Sequence, residues 1–156
     1  ISYQFATSAS LTTQLDGEAI GFEPFTAPQQ HMAQIALQAW DDLISPSLVL
    51  TAGLQANIEL AYSTSGVSFA HAYFPPYGSA WFSSHSYALS SPAIGTYGFE
   101  TYVHEIGHTL GLDHMGNYNG EGVWTPSCVQ DSSVYTVMSY FGPDHSDSMP
   151  DVAQDN

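Results

Sequence analysis

The chain contains no lysine and no arginine, against 15 aspartates and glutamates and a formal charge of −15. Nothing in it can neutralise a phosphate backbone or an anionic lipid surface, which argues against nucleic-acid and membrane-surface binding. The same absence removes every Lys or Arg salt bridge. Histidines, the amino terminus and bound metal are the counter-charges that remain, and self-repulsion is expected to ease with salt or divalent cations. One cysteine, Cys128, excludes an internal disulfide and reads as a semi-buried filler near a turn. No run approaches the ~18 consecutive apolar residues of a membrane span. No basic stretch followed by an apolar one marks a signal peptide.

What is present suits a single folded domain: 156 residues, 44% hydrophobic and 13% aromatic. "ISYQF" alternates Ile1, Tyr3 and Phe5 and predicts a strand. "TAPQQHMAQIALQAWDDLI" predicts a helix over 26–44, with Thr26 and Gln29 as a capping box and Pro28 in the first turn. Its apolar stripe reads as Met32, Ile35, Ala36, Ala39, Trp40 and Leu43, leaving His31 in solvent. "SLVLTAGL", "NIELAYS", "FAHAYFPP" and a short "SAWFSS" predict four further strands. A Ser, Pro and Gly-rich loop follows, then a helix from about Thr96 to Leu112. Beyond it, "MGNYNGEG" reads as turns, with little regular structure after that.

That last helix carries "VHEIGHTLGLDHMG". His104 and His108 are one turn apart and point the same way, so both imidazoles can meet one metal ion. Glu105 can reach a water on that metal without ligating it. Gly111 falls where the helix should end, and glycine accepts the left-handed conformation that turns a chain sharply. The turn lets His114 come back as a third ligand. Three imidazoles and an open position make a catalytic arrangement for zinc rather than a structural one. Val103, Ile106, Leu110 and Leu112 supply the helix's apolar side.

HExxHxxGxxH followed by a methionine turn is the signature of the metzincin zinc peptidases, and "TVMSY" places Met138 some two dozen residues after His114. Within that clan, "HEIGHTLGLDHMGNYNGEG" and "VMSY" resemble the serralysins, bacterial alkaline proteases with "HEIGHxLGLxHPGxYNxGEG" and "IMSY". The resemblance implies an α+β catalytic domain, a twisted mixed five-stranded sheet with two long helices, the second bearing the zinc motif. It implies one catalytic zinc on His104, His108 and His114, with Tyr140 as an additional ligand that swings away to steady the transition state. Met138 would form the apolar floor under the histidines. Glu105 would be the base for a secreted, extracellular endopeptidase acting on protein or peptide substrates. "FAHAYFPP" is similar to the edge strand that metzincins offer to substrate, "AHAF" in matrixins and "AYAYYP" in serralysins. Peptides would add a strand along Ala70, His71, Ala72 and Tyr73. His71 reads as an edge-strand side chain without a ligand role, with metal ligation as the alternative. His85 and His145 have no partner at ligand spacing.

Met115 stands where serralysins have proline, and because it is not glutamate it disfavours an astacin. Serralysins continue past the methionine turn with a helix and a calcium-binding β-roll, and the acidic "GPDHSDSMPDVAQDN" tail lacks that repeat. Residues 1–156 are therefore expected to be a catalytic domain without its C-terminal helix and roll, the front part of a longer protein. Calcium would belong to that further domain. The remaining C-terminal part and a proteinaceous inhibitor are the other partners implied. The alternatives at this point are a non-catalytic or weakly active zinc-binding fragment, and a matrixin-like metzincin.

Overall fold

In a computed structural model, the structure describes residues 1–12, 15–53, 55–118 and 125–142. The chain divides into two units, 1–111 and 112–156.

The first unit is built on β4 (Ile58–Ser63), in which all six residues are buried. Ile58, Leu60 and Tyr62 join the larger core on one face, and Ala61 packs with Ala6, Val67 and Trp81 on the other. A strand buried on both faces needs neighbours on both edges. β1 (Ser2–Phe5) pairs with it in parallel on one side, and β6 (Ser79–Ser83) does so on the other. β3 (Val49–Leu50) lies outside β1, and β5 (Ala70–Ala72) lies antiparallel outside β6. The order is β3-β1-β4-β6-β5, and the two-residue β2 (Phe22–Glu23) adds to the end of β4. The expected five-strand mixed sheet is present, with β2 as an addition. Glu59, within β4, is buried and accepts a 2.7 Å hydrogen bond from Gln4. Burial raises its pKa, and that bond only partly offsets the effect.

α1 (Ala27–Asp41) starts at Thr26, whose backbone amide and hydroxyl both donate to Gln29 Oε1, at 2.9 and 2.7 Å. The buried face differs from the expected stripe. It carries Gln29, Ala33, Ala36 and Leu37, with Met32 and Trp40 at its margins, whereas Ala39 and Leu43 are exposed. The helix has apolar side chains around most of its circumference, so spacing alone did not select a face. Packing against α3 (Tyr97–Thr109) does, because the small Ala33 and Ala36 permit close approach. Trp40 Nε1 donates to Val103 O at 2.9 Å, fixing one helix against the other.

α2 (Tyr87–Ser90), a single turn, occupies the loop before α3 and buries Leu89. Tyr62 Oη donates to Leu89 O at 2.6 Å and lies 2.6 Å from Tyr102 Oη. Sheet, α2 and α3 are thus joined by one buried polar link inside the aromatic core. "SLVLTAGL" contributes only two strand residues, Val49 and Leu50, and both are exposed. No helix among the described residues is long and apolar enough to cross a membrane.

In the second unit the described residues form turns. Tyr118, Asp131, Ser132, Met138 and Phe141 are buried there. Leu112 is 40% exposed rather than part of an apolar helix face, because the helix ends before it. Cys128 is exposed, not semi-buried. His145 and the acidic tail from 143 onward lie outside the described residues, as do residues 119–124 of the glycine-rich stretch.

Candidate metal centre

α3 is capped by Thr96, whose hydroxyl accepts from the Phe99 amide at 3.4 Å. Tyr102 and Ile106 face the core and are fully buried, with Val103 and Leu110 partly so. Anchoring that face fixes the direction of the adjacent one, which presents His104, Glu105 and His108. His104 and His108 are both buried, and their Nε2 atoms lie 3.0 Å apart. The rings stand at 87° to each other, with centroids 4.6 Å apart. Phe74, just past β5, packs edge-on against His108 at 5.3 Å. At most one of the two nitrogens can donate to the other, whereas both can point their lone pairs at one cation.

Glu105 is buried, and its Oε2 has no hydrogen-bond partner among the described residues. Burial pushes its carboxyl up to about 8. A buried carboxylate oxygen without a donor is costly unless something else engages it. An imidazole pair with an adjacent unsatisfied carboxylate fits a zinc centre: neutral nitrogen ligands and a base beside them.

Gly111 closes the helix at φ +98°, the left-handed conformation expected of it. A Cβ there would meet only Pro75 Cγ, at 3.9 Å, so backbone strain rather than lack of room restricts the position. Gly111→Ala is expected to destabilise the fold by about 1–3 kcal/mol, read from urea-induced unfolding. An unchanged midpoint would show that the turn does not depend on glycine.

His114 and the methionine turn belong to the second unit. His114 and Met138 are buried, and Tyr140 is half-buried. The Tyr140 ring lies 4.3 Å from that of His114, and Tyr118 stacks on His114 at 5.3 Å and 24°. Two of the expected site residues, His114 and Tyr140, are therefore side by side. Asp131 organises this unit and was not identified from sequence. It accepts from Tyr118 Oη and Ser139 Oγ at 2.7 Å each, and from the Ser127 amide at 2.8 Å. Ser139 sits between Met138 and Tyr140, so Asp131 holds the turn by its middle residue. Burial alone would raise the Asp131 pKa, but these donors outweigh it and keep the carboxyl below its usual value. The sequence carries no signal for this beyond one acid seven positions before the methionine.

β5 is the last strand of the sheet. Ala70 and Ala72 pack on the core, while His71 and Tyr73 turn to the other face and meet Glu18. His71 does not join the His104/His108 pair. His85 and His31 are exposed.

A sequence model of the metallopeptidase family M12B, described as reprolysin-like, matches residues 57–156. This chain belongs to that metallopeptidase family. The chain is also similar to Metallopeptidase AprA of Pseudomonas marginalis, with 36% identity over 90% of this chain and 32% of that protein. Against Serralysin A of Dickeya chrysanthemi the identity is 37%, over 90% and 32%. Against Serralysin of Photorhabdus luminescens it is 35%, over 77% and 28%. The expected likeness, a metzincin of serralysin type, is borne out. The chain spans about a third of the length of these curated relatives.

Proposed function

We propose that this chain is the catalytic portion of a secreted zinc-dependent endopeptidase that hydrolyses internal peptide bonds. The observation that carries the reading is the α3 arrangement: two buried imidazoles facing each other at 3.0 Å beside a buried glutamate with an unsatisfied oxygen. The HExxHxxGxxH spacing adds His114 as third ligand, and the serralysin likeness adds Tyr140. Zinc, when bound, supplies a Lewis acid that polarises a carbonyl and makes water more acidic.

The chain's own residues do the rest. Glu105 takes a proton from the attacking water and returns it to the leaving amine, as a general base and then acid. The Tyr140 hydroxyl donates to the developing oxyanion. The serralysin likeness assigns Met138, buried in its own unit, to the floor beneath the ligand histidines. Backbone groups of Ala70–Tyr73 pair with an extended peptide, since β5 is the outer strand on that side of the sheet. Phe74 against His108 links the strand's end to the ligand helix. Calcium, a C-terminal roll and an inhibitory partner belong to the longer protein that the serralysin likeness suggests.

The test is digestion of casein by the zinc-loaded chain, with fragments mapped by mass spectrometry. Cuts at internal bonds are expected. A folded, zinc-loaded chain that leaves casein whole would contradict the reading and favour a zinc-binding fragment without turnover. Tyr140→Phe is expected to lower kcat by about 10²–10³-fold with KM little changed, the loss typical of one oxyanion donor. A fall in zinc affinity with kcat preserved would instead make Tyr140 only a ligand.

A further inference from the structure

Apart from the ligand helix, one other set of metal-ligating side chains comes together among the described residues of the first unit. Donor atoms of Asp16, Glu18 and His71 all lie within 4.8 Å of one another. The geometry points to a second divalent-cation site here, with two carboxylates and one imidazole as its ligands.

Charge makes the case first. Glu18 is fully buried, and Asp16, exposed to solvent, brings a second carboxylate to its side. Even a protonated His71 would leave these three groups one negative charge in excess, and a neutral His71 would leave two. No lysine or arginine exists anywhere in the chain to supply the difference. The amino terminus, the remaining fixed cation, is engaged elsewhere, donating to Ser47 O at 2.9 Å. A buried carboxylate such as that of Glu18 persists when it is paired or coordinates a metal. A divalent ion supplies the missing charge.

The groups are also held in place. Glu18 opens a 3₁₀ turn (Glu18–Gly21), and its carbonyl accepts from Ser63 Oγ at 2.7 Å. Its Oε1 lies 2.9 Å from His71 Nε2 and accepts from the Tyr73 hydroxyl; its Oε2 accepts from the Asp16 amide at 2.9 Å. Tyr73 is in turn fixed by the Leu15 amide at 3.2 Å. An outer donor that orients a ligating carboxylate is a regular feature of metal sites. Gly66, at φ +71°, lets its strand-end turn press on this loop: a Cβ would stand 2.6 Å from Asp16 O and 2.9 Å from Glu18 N. Burial would raise the Glu18 pKa, but the donors, Tyr73 foremost, outweigh it and keep the carboxylate ionised and able to ligate. An imidazole beside two carboxylates suits zinc or manganese better than calcium, which prefers oxygen alone. The ion would tie the segment before α1 to β5.

The test uses a His104→Ala/His108→Ala double variant of the full chain, so that the proposed catalytic ligands are out of play. It is loaded with zinc chloride, dialysed, and examined by elemental mass spectrometry and thermal melting. One retained zinc per chain and a higher Tm with zinc are expected. Adding His71→Gln or Asp16→Asn should weaken zinc binding at least tenfold and remove the Tm rise. Both variants are chosen because neither alters buried Glu18. A double variant that holds no zinc would overturn the site and leave a hydrogen-bonded ion pair. Retention after both His71→Gln and Asp16→Asn would overturn it too, as would calcium binding that ignores His71→Gln. Failure of the catalytic-centre reading looks different: His71→Gln alone would then leave the chain with no zinc instead of one.

Discussion

Glu105→Gln is expected to keep the zinc content of the native chain and to lose about 10²–10⁴-fold in kcat. The substitution preserves shape and burial and removes a carboxylate beside the histidine pair that can accept a proton. The carboxylate is buried, with one oxygen that no described residue satisfies. An amide there replaces a carboxyl whose ionisation burial disfavours, so the fold should be at least as stable. Stability gained while turnover disappears is the pattern of a residue placed for chemistry rather than for packing. Steady-state kinetics on a quenched fluorescent peptide, with elemental analysis of the same sample, reads both quantities. Turnover close to that of the native chain would remove Glu105 from the mechanism.

His108→Ala has the other large effect. It is expected to lose the catalytic zinc and all measurable hydrolysis, with far-UV circular dichroism unchanged. Changes to groups that merely orient a ligand typically cost about 10–100-fold in metal affinity, and loss of a ligand should exceed that. The helix should survive. Its anchors are Tyr102 and Ile106 on the core face and the Thr96 cap. Zinc titration followed by competition with a chromogenic chelator measures the loss. Native affinity in the variant would mean that the 3.0 Å approach of His104 and His108 serves packing alone.

The zinc motif was legible because its chemistry is local in sequence. His104, Glu105 and His108 sit on one helix, and Gly111 ends it where the spacing requires. β1, β4 and β6 were legible for a related reason: short apolar runs bounded by turn residues can hardly be anything else in a chain this small. The face of α1 was not, since its apolar residues surround the helix and only the partner helix selects Ala33, Ala36 and Leu37. α2 was missed because four residues of "YALS" are too short to show a period. Asp131 and Glu18 were missed for a deeper reason. Each is a single acid whose meaning comes from donors far along the chain, Tyr118 and Ser139 for one, His71 and Tyr73 for the other. In a chain without lysine or arginine, buried acids rely on hydroxyls, amides and histidines. Nothing in the local sequence shows which acids those are.

The measurement that tests the central claim most directly is peptide hydrolysis after complete metal removal and after zinc is returned. The chain is treated with 1,10-phenanthroline, dialysed against metal-free buffer, verified zinc-free by elemental mass spectrometry, and assayed on a peptide with one scissile internal bond. Hydrolysis should fall to background and return on addition of zinc, in the native chain but not in His108→Ala. Undiminished hydrolysis by the verified zinc-free chain would contradict the account.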